Sequence, residues 1–144
     1  MRALLIVLLC VIGSSSDAQT WYTDADSARA RAVATNRPIL LNFSGSDWCA
    51  PCKRLADEVF ADTVFRIHAR DHLVLLNADF PMRRANALPE PLQTANDSLA
   101  ARYNPDGSFP RTVLLNADGA VLVRLPDRVA DAHEFLDAIE PHVP

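Results

Sequence analysis

Apolar and polar positions fall into blocks along this chain, and the period of the pattern changes from block to block. Residues Ala25 to Thr35 are rich in alanine and free of Gly and Pro. Thr23-Asp24 precedes them and Asn36-Arg37-Pro38 follows, which are helix start and stop signals. Residues 39–43 (Ile-Leu-Leu-Asn-Phe) form a short apolar run with turn residues after it, the pattern of a strand buried on both faces. Cys52, Leu55, Ala56, Val59 and Phe60 then recur at i, i+3, i+4, i+7 and i+8, with Lys53, Arg54, Asp57 and Glu58 between them. This spacing predicts an amphipathic helix that points Cys52 toward the core. A short helical segment at 63–69 leads to a second buried strand at 73–76, ending at Asn77-Ala78-Asp79.

The segment 80–91 holds Pro81, Pro89, Pro91 and the pair Arg83-Arg84, and reads as an exposed connection. Leu92, Ala95, Leu99 and Tyr103 resume helical spacing. Residues 113–115 and 121–123 flank Asn116-Ala117-Asp118-Gly119, a hairpin signal. Val129, Ala132, Phe135, Leu136 and Ile139 define a last helix, stopped by Pro141. Strands separated by helices imply parallel neighbours, and the hairpin adds an antiparallel edge. The expected architecture is an α/β domain with a mixed central sheet and helices on both faces.

Composition adds a compartment. The chain has 144 residues, 49% hydrophobic and 22% charged, which suits one globular domain. Its net charge of −4 speaks against a nucleic-acid partner. Arg2 precedes an unbroken apolar run at 3–12, half the length of a membrane-spanning helix, which needs about 20 residues. Small residues Ser16 and Ala18 follow where a signal peptidase requires them. Residues 1–18 therefore read as a secretory signal peptide and 19–144 as the mature domain, in a periplasmic or otherwise extracytoplasmic compartment. An uncleaved anchor and a lipoprotein acylated at Cys10 are the alternatives; bulky Leu9 disfavours the second. Cleavage leaves Cys49 and Cys52 as the sole cysteines.

Those two cysteines carry the candidate chemistry. Trp48-Cys49-Ala50-Pro51-Cys52-Lys53 sets two thiols three residues apart at a helix start, where they can close a small disulfide ring. The positive end of the helix favours a thiolate at Cys49, making it the nucleophile. Cys52, a turn deeper, becomes the resolving thiol. Pro51 suits the first turn, where its missing N–H breaks no helix bond. A Cys-x-x-Cys is also half a zinc site, and His68 and His72 have i, i+4 spacing, yet a structural zinc needs four ligands. A purely structural disulfide stays open as well, although so short a loop stabilises little.

The dithiol follows an apolar strand, opens an amphipathic helix and is matched by Phe109-Pro110 just before a later strand. With residues 43–53, Tyr103 and residues 113–119, this combination resembles the thioredoxin-like family over most of 24–139. The resemblance implies a thioredoxin fold and a thiol–disulfide oxidoreductase needing no cofactor and no metal. It makes Pro110 a cis-proline facing the dithiol, and Trp48 and Pro51 supports of the pair. Trp48 and Phe109 then contact the client, with the Phe109 backbone pairing with an extended chain. Ala50-Pro51 resembles reducing members. A monomeric reductase of protein disulfides outside the cytoplasm needs a membrane-embedded thiol–disulfide electron donor. A client-binding, chaperone-like module and a metal-handling protein are the rival classes. Three departures stand out: Asn42 where many thioredoxins carry a buried Asp, Arg111 after Pro110 where threonine is commoner, and the long 80–91 connection. Asp47, Glu58 and Arg111 are expected to be solvated charges.

Overall fold

A computed structural model describes residues 19–144. The expected signal peptide, with Cys10, lies outside the described residues. Five strands form one sheet: β1 (Trp21–Tyr22), β2 (Ile39–Ser44), β3 (Val74–Asp79), β4 (Arg111–Leu115) and β5 (Val121–Arg124), in the order β1-β3-β2-β4-β5. β1, β3 and β2 are parallel neighbours, while β4 is antiparallel to β2 and β5 antiparallel to β4. The mixed sheet with an antiparallel hairpin is thus borne out. β3 and β4, joined through a helix, are not neighbours. Asp79 lies opposite Ser44 and Arg111 opposite Phe43, so the connection leaves and returns at one end of the sheet and β4 must run backward.

The helices are α1 (Ala25–Thr35), α2 (Ala50–Leu55), α3 (Thr63–His72), α4 (Glu90–Tyr103) and α5 (Ala132–Ile139). Strand alternation divides the core between the two sheet faces. Leu40, Leu75 and Leu114 pack with Phe60, Phe65, Phe135 and Ile139 on the face covered by α3 and α5. Ile39, Leu41, Phe43, Val74, Leu76 and Val113 pack with Ala28 and Ala32 of α1 and Tyr103 of α4 on the other. The central strands are apolar nearly throughout because both faces are covered.

α1 begins where its sequence signals put it: Asp24 accepts a bond from the Ser27 N–H at 2.9 Å. Asn36 closes it in the left-handed region at φ 52°. Two features depart from expectation. β3 runs on to Asp79, and α2 continues into a π-helical turn, Ala56–Phe60, with the Ala61 N–H bonded to the Ala56 carbonyl. Ala56, expected on the buried face, is exposed because it lines an open cleft together with Cys52 and Phe60, while Val59 and Phe60 remain buried.

Candidate active site

The site forms where β2 ends. The chain leaves Ser44, turns through Gly45 and returns as α2, with Cys49 as N-cap and Pro51 in the first turn. The N–H groups of Trp48 and Cys49 both reach the Gly45 carbonyl, at 3.3 and 2.9 Å. Cys49 and Cys52 are joined in a disulfide. The Cys52 N–H donates to Cys49 Sγ at 3.2 Å, the cap bond that a thiolate at this position would keep. Both residues are 6% exposed, so accessibility does not rank them; Cys49 caps α2 and Cys52 lies within it.

The register brings the Phe109–Pro110 step to this same end of the sheet, one residue before β4, and the peptide bond there is cis. Trp48 is 44% exposed, and its ring meets Phe109 edge-on at 5.3 Å. Phe80 extends the aromatic group, 5.5 Å from Phe109. Trp48 Nε1 donates to the Phe80 carbonyl at 2.7 Å, which fixes the indole. The backbone N–H and C=O of Phe109 have no hydrogen-bond partner among the described residues. Trp48, Cys49 and Cys52 thus stand at the start of α2 and Phe109 and Pro110 at the same end of the sheet, with the Trp48 and Phe109 rings in contact.

Gly45 matters more than its place in a turn suggests. A Cβ there would lie 2.3 Å from Trp48 Cε2 and 2.5 Å from Nε1, so the indole lies flat against this glycine. The pattern Gly-x-x-Trp-Cys was the available signal.

Beneath the pair, Cys52, Asn42, Ser44, Asn77, Trp21 and Phe60 line an open cleft of about 640 Å³. Asn42 is 6% exposed; its Nδ2 donates to Asn77 Oδ1 at 2.9 Å and its Oδ1 accepts from the Thr112 hydroxyl at 3.2 Å. The position of the usual buried acid therefore holds a neutral, hydrogen-bonded amide.

Two expected surface charges are tied down instead. Asp47 accepts from the Met82 N–H (2.9 Å), the Arg83 N–H (3.0 Å) and Asn86 Nδ2 (2.9 Å), and these donors hold its carboxyl below the usual carboxylate range. Arg111 bridges Asp106 at 2.6 Å and Asp127 at 2.9 Å with a side chain 15% exposed, rather than reaching into solvent. Neither partner set is adjacent in sequence, which is why the charges looked idle. Glu58 is exposed, as expected. Ser46 adds a third tie: its N–H and hydroxyl reach Asp79 at 2.9 and 2.6 Å.

His68 and His72 stack at 4.7 Å at the end of α3. Burial, and then the His72 charge, push the His68 imidazole below its usual range. Among the described residues no three His, Cys, Asp or Glu side chains converge as a metal centre requires, and no helix is long and apolar enough to cross a membrane.

A mixed sheet that carries a Cys-x-x-Cys at a helix N-terminus and a cis-proline at the same end defines a thioredoxin-fold dithiol–disulfide protein. The profile of the Thioredoxin-like family matches residues 20–117, and the chain belongs to that family. It is 37% identical over 105 residues to the disulfide bond reductase DsbH of Chlamydia pneumoniae, covering 73% of this chain and 61% of that one. The chain therefore spans less than two thirds of that relative's length. Among solved structures, a DsbH oxidoreductase superposes with a TM-score of 0.78 at 25% identity, covering 97% of this chain and 93% of the other. A thioredoxin from Thermus thermophilus superposes with a TM-score of 0.63 at 21% identity, over 85% of each chain.

Proposed function

We propose that this protein is an exported thiol–disulfide oxidoreductase that reduces protein disulfides. The observation that carries the reading is the Cys49–Cys52 disulfide at the start of α2, at the same end of the sheet as the unpaired Phe109 backbone and its cis-proline. Similarity to a protein named as a disulfide bond reductase supports the direction. In the reduced protein the Cys49 thiolate attacks one sulfur of the client disulfide; a mixed disulfide forms and one client thiolate leaves. Cys52 then gives up its proton to water in the cleft and attacks Cys49 Sγ. The second client thiolate departs and the Cys49–Cys52 disulfide forms, so the client gains the two electrons the protein loses.

The extended client lies along the free edge at Phe109, held by backbone hydrogen bonds and by the Trp48–Phe109 aromatic surface. Pro51 and Pro110 shape the pair from either side. Residues 1–18 direct the chain across the membrane and are removed, leaving a monomeric 19–144 domain whose pair is re-reduced by a membrane-embedded dithiol donor.

Replacing the resolving cysteine tests the reading. Cys52→Ser is expected to accumulate mixed disulfides with clients through Cys49, visible on diagonal gels, and Cys49→Ser to abolish both trapping and turnover. Absence of trapped clients, with reduction of protein disulfides no faster for the parent than for Cys49→Ser, refutes it and leaves a binding module.

A further inference from the structure

We infer that residues 80–86 form a docking surface for acidic protein segments beside a client disulfide, with Arg83 and Arg84 as the charge-reading residues. The inference rests on the exchange function proposed above. The chain as a whole is acidic, with a net charge of −4. Yet the segment pinned to the dithiol loop carries two adjacent arginines, both exposed. Among the described residues neither guanidinium pairs with a carboxylate; the ion pairs engage Lys53, Arg70 and Arg111.

The Asp47 carboxylate accepts from the backbone N–H groups of Met82 and Arg83 and from Asn86, which fixes the backbone, and the Arg83 guanidinium acts on it through space without forming an ion pair. Asp47 stands two positions before Cys49, so the pair is held at the rim of the site rather than on a wandering loop. Met82, 75% exposed, and Trp48, 44% exposed, supply apolar surface at the same rim. An acidic protein repels acidic clients at long range, and a fixed basic doublet at the reactive edge reverses that locally and orients the encounter.

Synthetic peptides with serine in place of cysteine test docking apart from exchange, because they bind without any thiol chemistry. One peptide carries acidic, one neutral and one basic flanks, and anisotropy of a label reads their affinity. The acidic peptide is expected to bind at least about fivefold more tightly than the basic one at about 0.1 M salt, with the preference lost at about 1 M. Arg83→Gln/Arg84→Gln is expected to erase the preference and Arg83→Glu/Arg84→Glu to invert it. Equal affinities, no binding, or a preference that survives both variants overturns the inference. So does Arg83- and Arg84-dependent binding to anionic phosphatidylglycerol vesicles without any peptide preference. Failure of the exchange reading shows separately, as reduction of protein disulfides no faster with the parent than with Cys49→Ser.

Discussion

Placing a methyl group on Gly45 is a sharp test of the site's construction, because its three nearest heavy atoms would all belong to the Trp48 indole, at 2.3 to 2.6 Å. No real contact is that short, so the ring must leave. Its departure breaks the 2.7 Å bond from Nε1 to the Phe80 carbonyl, about 0.5–1.5 kcal/mol. It also removes the edge-on contact with Phe109, about 0.5–1.5 kcal/mol. Because Trp48 is 44% exposed, the lower halves of these ranges apply, and Gly45→Ala is expected to cost about 1–2 kcal/mol. Urea unfolding reads this as a midpoint lowered by about 1 M. The Trp48 indole N–H resonance should move toward its free position while that of Trp21 stays. In a Trp48→Ala background the clash is gone, and the same Gly45→Ala change should be neutral or stabilising by about 0.4–1 kcal/mol through the unfolded state. An equal cost in both backgrounds refutes the argument, since the strain would then lie in the backbone and not against the indole.

Asp47→Ala removes three acceptor contacts and should free residues 81–86, so that trypsin cuts after Arg83 or Arg84 faster than in the parent, read by mass spectrometry. Since backbone donation from Met82, then Asn86, holds the Asp47 carboxyl below its ordinary value, the tether should persist above that value and loosen as pH falls beneath it, with trypsin replaced by an acid protease for that arm. His68 is held below the usual imidazole range by burial and then by His72, so its neutral form favours the fold. The associated stability is present above about pH 6.5 and is lost as pH falls toward the folded value; His68→Leu should flatten the fall in urea midpoint between about pH 7.5 and 5, and parallel curves would count against it.

What could be read from the sequence was what is encoded locally. α1 carries its own cap at Asp24 and its own left-handed stop at Asn36, and the hairpin carries its turn, with Gly119 at φ 85°. The dithiol was legible for the same reason, since Cys49 and Cys52 need only one helical turn to meet. β1 was not, because Trp21–Tyr22 is two residues long and exists as a strand only through Leu75 and Leu76. The exposure of Ala56 has no compositional mark, because it comes from the open cleft that the residue lines with Cys52 and Phe60. Asp47 and Arg111 were read as solvated because charge type alone favours solvent, whereas the donors to Asp47 lie 35 to 39 residues away. Gly45 reads as a turn glycine until the Trp48 ring is placed against it.

The ties at the site follow from one register. β2 and β3 run parallel and end together, with Ser44 opposite Asp79. Past that point the ladder stops, but the two segments continue side by side and bond through other groups. Ser46 reaches Asp79, Asp47 receives Met82, Arg83 and Asn86, and Trp48 reaches the Phe80 carbonyl. Three consecutive residues before Cys49 are thus each fastened to the end of β3 or to the segment that follows it, and Asn96 of α4 donates to the Asp79 carbonyl at 3.0 Å. The long connection is therefore part of the site's wall: the aromatic surface at Trp48 and the basic doublet at Arg83-Arg84 are carried on one seam. A dithiol above Asn42 gains no charge from the strand beneath it, which leaves Lys53 and Asp57 in the cleft and the arginines of this rim as charges near the pair. On the proposed reading, selectivity resides in this segment, while the exchange chemistry stays with Cys49 and Cys52.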